Sequence, residues 1–491
     1  MRNDFTTESG NGKSAIGNRE PGIAGLVRVH SGTIPFVNVT QRLAEFVACM
    51  PPEAIGPEAR EQAKRAFLDT LGVTLAGCRE EAALRVAGIV REQGGSDEAT
   101  VIGPGFRVPA SQAALANGTA AHALDYDDVT VNMRGHPSVP LFPAVLALGE
   151  KLGSSGREVL DAFVIGFEGE CKLGRAIGEA HYALGWHATS TLGTIGAAAA
   201  CARLLGLDAG RTRNALGIAA SLASGLQVNF GTMTKPLHAG WAAHSGVLAV
   251  ELAARGFEAD AQALEGPGGF LNAMSGGAEI DVGAAVSGFG EPWEIVEPGI
   301  GVKLYPCCYA THRAIDAALK VRATAGFDAN KVERIELHLS KKTLLPLIDR
   351  PPATGLEAKF SMEYCVVTAL LHGPPSLGAF TNEKLAGPDV QSLLRRVEAI
   401  EYGPEMAYPI EGWARIIVLL GDGQFFEAEV DAPRGDPKRP LTWDDLAGKF
   451  RDCASGVLPE EQVEGAIAAI ERLEEMADVR ELISTVGDAG T

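Results

Sequence analysis

The sequence predicts a mainly α-helical fold, a large all-helical domain with a smaller α+β domain inserted into it. Three observations carry that expectation. Ala and Gly recur at three- and four-residue spacing between about residues 57 and 256, which lets helix axes approach closely. Aromatic residues are only 6% of the chain while Gly supplies 59 of 491, so the core is built from small, tightly packed side chains. Alternation of apolar and polar residues is concentrated within 332–430.

Residues 1–36 are polar and aperiodic and read as a flexible N-terminal extension. Helical spacing begins in TQRLAEFVACM, where Leu43, Phe46 and Val47 share a face and Thr40 stands at the N-cap position. PEAREQAKRAFLDTLGVTLAG follows as an amphipathic helix. Further helices are expected over 110–124, 157–178, 188–206, 211–226 and 241–256, so that residues 37–301 form the helical domain. VERIELHLS (332–340) alternates as a half-buried strand does, and VEAIEY (397–402) is a second short strand. WARIIVLLGDGQFFEAEV (413–430) reads as a hairpin around Gly421-Asp422-Gly423. Residues 302–435 are therefore the α+β domain. Helices return after Pro437 and Pro440, with a capping box between Thr442 and Asp445 and a last helix over 459–476. These C-terminal helices, within 436–491, are expected to rejoin the helical domain.

The formal net charge is −19, which leaves no excess of cations to displace counterions from phosphates and argues against nucleic acid as a partner. A small acidic ligand stays open, because a few cations can gather locally in an acidic protein. The eight Cys are scattered without a C-x-x-C and read as reduced thiols of a cytoplasmic protein. The first residues carry no apolar run of a secretory signal. No stretch reaches the roughly 18 apolar residues of a membrane span, so no membrane partner is expected.

Four segments concentrate groups able to do chemistry. AHALDYDDVTVNMRGHPS holds His122, Asp125, Asp127, Asp128, Arg134 and His136. Spacing alone leaves three readings: a divalent-metal site, an acid/base cluster in which Asp125 orients or charges a histidine, and a capped, solvated loop. LGWHATSTLGT places His187 just before an apolar helix, whose positive end favours the neutral imidazole that abstracts protons. A purely structural histidine is the plainer alternative. NFGTMTKPLHAGWAAHSG sets Lys235 before Pro236, at a helix entrance or simply on the surface. His238 and His244, six apart, do not share a helix face and make a poor metal pair. GIGVKLYPCCYATHRAIDAAL carries Lys303 where the texture changes, either in an interdomain cleft or on a solvated linker. Cys307 and Cys308 beside it read first as buried packing. Gly299-Ile300-Gly301 and GPGGF (266–270) fit no nucleotide-binding loop, and neither G-x-S-x-G nor H-E-x-x-H occurs. Lysines to hold carboxylates and a histidine to move a proton suit an acid/base enzyme of small carboxylates that needs no cofactor.

These segments resemble the MmgE/PrpD family, which includes 2-methylcitrate dehydratase, cis-aconitate decarboxylase and iminodisuccinate epimerase. The resemblance rests on AHALDYDDVT…GHPS, GWHATSTLGTIGAAAACARLLGLD, TKPLHAGWAAHSGVLAVELAARGFEA, EGPGGFL, KLYPCCYATHRAIDAAL and AKFSMEYCVVTALLHG, in the family's order. It covers roughly residues 37–485. It implies a helical domain with a smaller α+β lid, a homodimer, and neither metal nor cofactor. By position it implies Asp125, His136, His187, Lys235, Lys303 and Tyr364 as active-site residues in a pocket between domain and lid. Lys235 and Lys303 would pair with substrate carboxylates and stabilise the charge that builds after proton removal. His136 or His187 would move the proton, with Asp125 fixing tautomer and charge, and Tyr364 would donate a hydrogen bond or a proton.

The activity implied first is that of a 2-methylcitrate dehydratase-like lyase. It would take a proton α to a carboxylate of a small di- or tricarboxylic acid and eliminate water. Epimerisation of an iminodisuccinate-like dicarboxylate and cis-aconitate-type decarboxylation need the same groups. A family-fold binding protein without turnover is the non-enzymatic alternative. One departure stands out: 2-methylcitrate dehydratases usually follow His-Pro-Ser with a polar Asp-Asn pair, and here Val139 and Pro140 take those places. The change is expected to remove polar contacts to a tricarboxylate.

Overall fold

Helix starts where the sequence first becomes periodic. The structure, a computed structural model, describes residues 38–405 and 412–486, so the expected N-terminal extension lies outside the described residues. In α1 (Val39–Cys49) the N-cap is Asn38, whose side chain accepts from the Gln41 backbone at 3.4 Å. Thr40, expected at that position, is one residue inside the helix. Its hydroxyl instead donates to Glu265 and accepts from the Leu264 backbone at 3.1 Å, tying α1 to a later loop.

The helices α2 (Pro57–Gly77) and α3 (Glu81–Gln93) follow, then a two-strand ribbon, β1 (Ala99–Thr100) with β2 (Arg107–Val108), that periodicity did not reveal. Next come α4 (Ala110–His122), α5 (Ser138–Leu152), α6 (Gly156–Ala183), α7 (Ala188–Leu205), α8 (Ala209–Leu222) and α9 (Thr234–Ala254). The long α6 breaks at Gly178, whose φ of +65° an L side chain would resist.

Small residues set how these helices cross. A Cβ on Gly118 of α4 would fall 2.8 Å from the Gly240 Cα of α9, and one on Gly240 would fall 2.3 Å from the Leu115 carbonyl oxygen. The two backbones therefore touch. A Cβ on Gly246 would likewise meet Ala197 of α7 at 2.5 Å. This is the physical use of the Ala/Gly spacing: interior density is reached by bringing axes together rather than by large side chains.

Beyond α9 the chain runs through turns and the short α10 (Phe270–Met274) to residue 302. Glu168 of α6 holds this stretch by accepting from the Gly290 and Glu294 backbone amides, at 3.0 and 2.8 Å. Then come α11 (His312–Arg322), β3 (Val332–Lys341), α12 (Gly355–Ala358), α13 (Met362–His372), α14 (Asn382–Leu385) and α15 (Pro388–Leu394). β4 (Val397–Glu405), β5 (Ala414–Leu420) and β6 (Phe425–Val430) complete a sheet of order β4-β3-β5-β6. Only the β3–β4 pair is parallel. The β5–β6 hairpin turns at Gly421-Asp422-Gly423, with Gly423 at φ +86°. Ile335, Leu337 and Leu339 of β3 face inward, which is the alternation the strand needed.

After the sheet, α16 (Trp443–Ala454), α17 (Glu460–Glu471) and α18 (Arg480–Val486) follow. The capping box expected at α16 is present, Thr442 Oγ1 accepting from Asp445 N at 3.1 Å and Asp445 from Thr442 N at 3.0 Å. Buried apolar residues gather into two main clusters. One runs from Val39 to Ile295 and resumes with Leu441–Val486; the other lies within Tyr305–Val430. No described helix is long and apolar enough to cross a membrane.

Candidate active site

Three stretches meet where the two clusters adjoin: the turn after α4, the start of α7 and the start of α9. The Gly118–Gly240 crossing aligns the end of α4 with the beginning of α9. His122 Nε2 consequently sits 3.0 Å from Lys235 Nζ. The chain then turns through residues 123–128, and Asp125 takes φ +52°, a left-handed conformation that Asp tolerates better than most residues.

Asp125 is the electrostatic centre. Its Oδ1 accepts from Lys235 Nζ at 2.8 Å and from Lys303 Nζ at 2.9 Å. His136 Nε2 stands 3.6 Å from the same oxygen. Burial alone would push this carboxyl up; Lys235 and Lys303 outweigh burial and hold it well below the usual carboxylate range. Its Oδ2 is buried and has no protein partner among the described residues. Lys235 Nζ is also flanked by the Phe230 and Phe360 rings, at 5.4 and 5.3 Å from their centres.

Asp127 organises the histidines. Its carboxylate lies 2.9 Å from His122 Nδ1 and 2.9 Å from His136 Nδ1. The Asp128 carbonyl oxygen is also 3.0 Å from His136 Nδ1. Facing only acceptors, both Nδ1 atoms carry the proton. His122 Nε2 therefore accepts from Lys235, and His136 Nε2 presents a bare lone pair. Burial, reinforced by the lysine charges, holds His122 down to about 3 and lowers His136 against the pull of Asp127.

His187 is the N-cap residue of α7 and is held well below its ordinary value. The direction is the one its position predicts, but burial and then Lys235 are the leading causes. Its Nδ1 is 3.0 Å from Nδ1 of His238, so one of the two donates. His244 turns away to the Ser111 carbonyl at 3.0 Å, and the two histidines of α9 have separate partners.

Several of these groups line a cavity with about 30 Å³ of free space. Asp125, Arg134, His136, His187, Phe230 and Lys235 line it from the N-terminal half of the chain, and Cys308, Pro346 and Phe360 from beyond residue 302. Cys308 thus reaches the cavity, where burial pushes its thiol up to about 12, while Cys307 turns to Thr311 at 3.2 Å. A larger groove of about 690 Å³ between α8, α9 and residues 257–269 has no histidine or lysine in its walls. The smaller space is therefore the candidate site.

Two domain models of known proteins match the chain: the MmgE/PrpD N-terminal domain over residues 41–283 and the MmgE/PrpD C-terminal domain over residues 305–475. The chain belongs to the MmgE/PrpD family. It is 32% identical over 455 residues to cis-aconitate decarboxylase of Mus musculus, covering 90% of this chain and 92% of that protein. The human protein of the same name matches at 32% over 454 residues, 90% of this chain and 93% of the relative. Cis-aconitate decarboxylase of Aspergillus terreus matches at 26% over 479 residues, 91% of this chain and 96% of the relative. These relatives are enzymes by name, and the chain is one of an enzyme family.

Of the six residues that family resemblance singled out, the structure brings five together: Asp125, His136, His187, Lys235 and Lys303. Lys303 is fully buried and turned to Asp125 rather than to the cavity. Tyr364 is placed elsewhere, buried in the second cluster with its hydroxyl donating to the Ala379 carbonyl. His122, Asp127 and His238 join the site from segments the sequence marked, but no spacing rule told their roles. Their partners were the missing signal. Val139 does not face the cavity; it is fully buried against Ala121 and Ala239, so its apolar character here serves packing.

The same donors have the look of a metal cage, since atoms of His122, Asp125, Asp127 and His136 lie within 4.8 Å of one another. The donor set does not fit a divalent ion. His122 Nε2 and Asp125 Oδ1 already face the Lys235 ammonium, and Lys303 adds a second cation at Asp125.

Proposed function

We propose that the protein is a lyase that decarboxylates a small unsaturated tricarboxylate of the cis-aconitate kind without metal or cofactor. One observation carries this reading: the Lys235 ammonium faces the cavity beside neutral histidines, on a carboxylate kept ionised by two lysines. The names of the relatives, similar over nine-tenths of this chain, support the substrate class.

In such a reaction the C–C bond to the departing carboxylate breaks. Its electrons form a new double bond, and the old double bond's electrons move to the carbon α to a remaining carboxylate. That carbon takes a proton. Lys235 would stabilise the charge and give the proton, and His187, lining the same cavity, would orient the substrate. Asp125 aims Lys235 through their hydrogen bond, and Lys303 holds Asp125 from its other contact. Residues 302–435 would act as the lid, because they contribute Cys308, Pro346 and Phe360 to the cavity lining.

A second reading, 2-methylcitrate dehydratase-like elimination, draws on the bare Nε2 of His136, a ready base for a proton α to a carboxylate. One experiment separates them. Chelator-treated protein is incubated in D₂O with cis-aconitate, 2-methylcitrate, citrate and iminodisuccinate and followed by proton and carbon NMR. Loss of CO₂ with one deuteron in the product supports decarboxylation. Loss of water, or exchange of an α-proton without CO₂, moves the assignment to elimination or epimerisation. Silence from folded protein across the panel removes both readings.

A further inference from the structure

Three consecutive carbonyls in the turn after α4 are each capped by a buried lysine. Leu124 O accepts from Lys359 Nζ at 2.6 Å, Asp125 O from Lys303 Nζ at 2.8 Å, and Tyr126 O from Lys449 Nζ at 2.7 Å. The lysines come from three separate places: the strand-poor stretch before α11, the segment between α12 and α13, and α16. All three are buried, with exposures of 0%, 5% and 5% for Lys303, Lys359 and Lys449.

Burying an ammonium is costly unless an anion or several acceptors receive it. Lys303 has the Asp125 carboxylate, and Lys449 has Asp69 at 2.6 Å and the Tyr126 ring at 3.9 Å. Lys359 has no carboxylate within ion-pair distance among the described residues. Its contacts are the Leu124 carbonyl and the Phe380 ring at 5.4 Å. A lysine kept in such a place calls for a reason beyond its own stability. The turn supplies one. Its carbonyls leave the helical ladder at His122 and must find donors, and Asp125 between them is held at φ +52°.

We propose that Lys359 and Lys449 are positioning residues of the site, which together with Lys303 lock the Leu124–Tyr126 carbonyls and so keep the Asp125 carboxylate aimed at Lys235. The kinetic part of this inference rests on the lyase reading above; the conformational part does not.

The test compares Lys359→Met and Lys449→Met with the wild type by steady-state kinetics on whichever carboxylate the wild type turns over, and by crystallography. A displaced carboxylate lowers kcat about 10- to 100-fold. KM should stay within about threefold, because neither lysine touches the cavity. In the crystal, Asp125 should leave the left-handed region or its contact with Lys235 should lengthen. Wild-type kcat with Asp125 unmoved in both variants overturns the proposal. If a methionine variant does not fold, Lys359→Gln and Lys449→Gln, which keep a neutral donor, replace it and should fall between. If the wild type turns over nothing, the lyase reading fails on its own, and the position of Asp125 in the variant crystals still decides the clamp.

Discussion

Asp127 receives two histidines at once and does not line the cavity, so its influence is carried by the tautomers it imposes. Replacing it by Asn puts a donor where an acceptor is needed and lets the His136 proton move to Nε2. Where His136 Nε2 is the base, as in the elimination reading, Asp127→Asn should therefore lower kcat on the order of 10³-fold with little loss of binding. A variant that keeps wild-type kcat would show that the tautomer does not matter. Lys359 gives a prediction in pH. Burial brings its ammonium down to about 8, against the opposing pull of Asp125 and Glu80. Between pH 8 and the unfolded lysine value of about 10.5, the unfolded chain holds more protons than the folded one. This group's penalty is thus full below pH 8 and fades as pH rises to 10.5. The unfolding free energy of Lys359→Met minus that of wild type should be largest near pH 7 and fall toward pH 10 in urea titrations. A difference independent of pH would contradict the shift. Neither residue's role was legible from sequence. The segments were visible, but Lys359 and its partner Leu124 are 235 residues apart, and Tyr364, from the same motif as Lys359, carries its hydroxyl to Ala379 instead.

Among the elements, periodicity marked the four-strand sheet and helices such as α1 that bury one face, while α7, buried from Ala188 to Ala202, showed only as a run of small residues and α5 was not singled out. It did not find the β1–β2 ribbon, whose two-residue strands are too short to show a period. It misplaced the first cap by two residues, since Thr40 and Asn38 are both good capping types and a distant Glu265 took Thr40. The Ala/Gly spacing did forecast close helix approach. It did not say that the closest approach would bring His122 to Lys235. Gly240→Ala tests that link. Its Cβ would meet the Leu115 oxygen at 2.3 Å and the Thr119 Oγ1 at 2.3 Å, so α4 and α9 must separate. The expected cost is about 1–3 kcal/mol in denaturant unfolding, with a fall in kcat beyond what the lost folded fraction explains. Unchanged stability and activity would mean the crossing is softer than its geometry indicates.

At the scale of the whole molecule, the cavity is nearly closed. About 30 Å³ admits water but not a tricarboxylate, so the walls must part for substrate to enter and meet again for reaction. The movable candidates are the two faces around Lys235, residues 226–235 and 344–360. Bound substrate or a slow analogue should protect both segments from amide hydrogen exchange. Protection of neither would place the entrance elsewhere.

The lysine on α16 bears on how the protein is made. The turn carrying Asp125 leaves the ribosome some 320 residues before Lys449 does, and synthesis at about 5–20 residues per second puts that interval on the order of half a minute. Through that time the first cluster also lacks Leu441–Val486, and Asp69 has no cation to meet. The nascent helices must wait with an open seam, exposing apolar surface and an unpaired carboxylate. The last stretch of the described chain is thus the closing piece of the site as well as of the core.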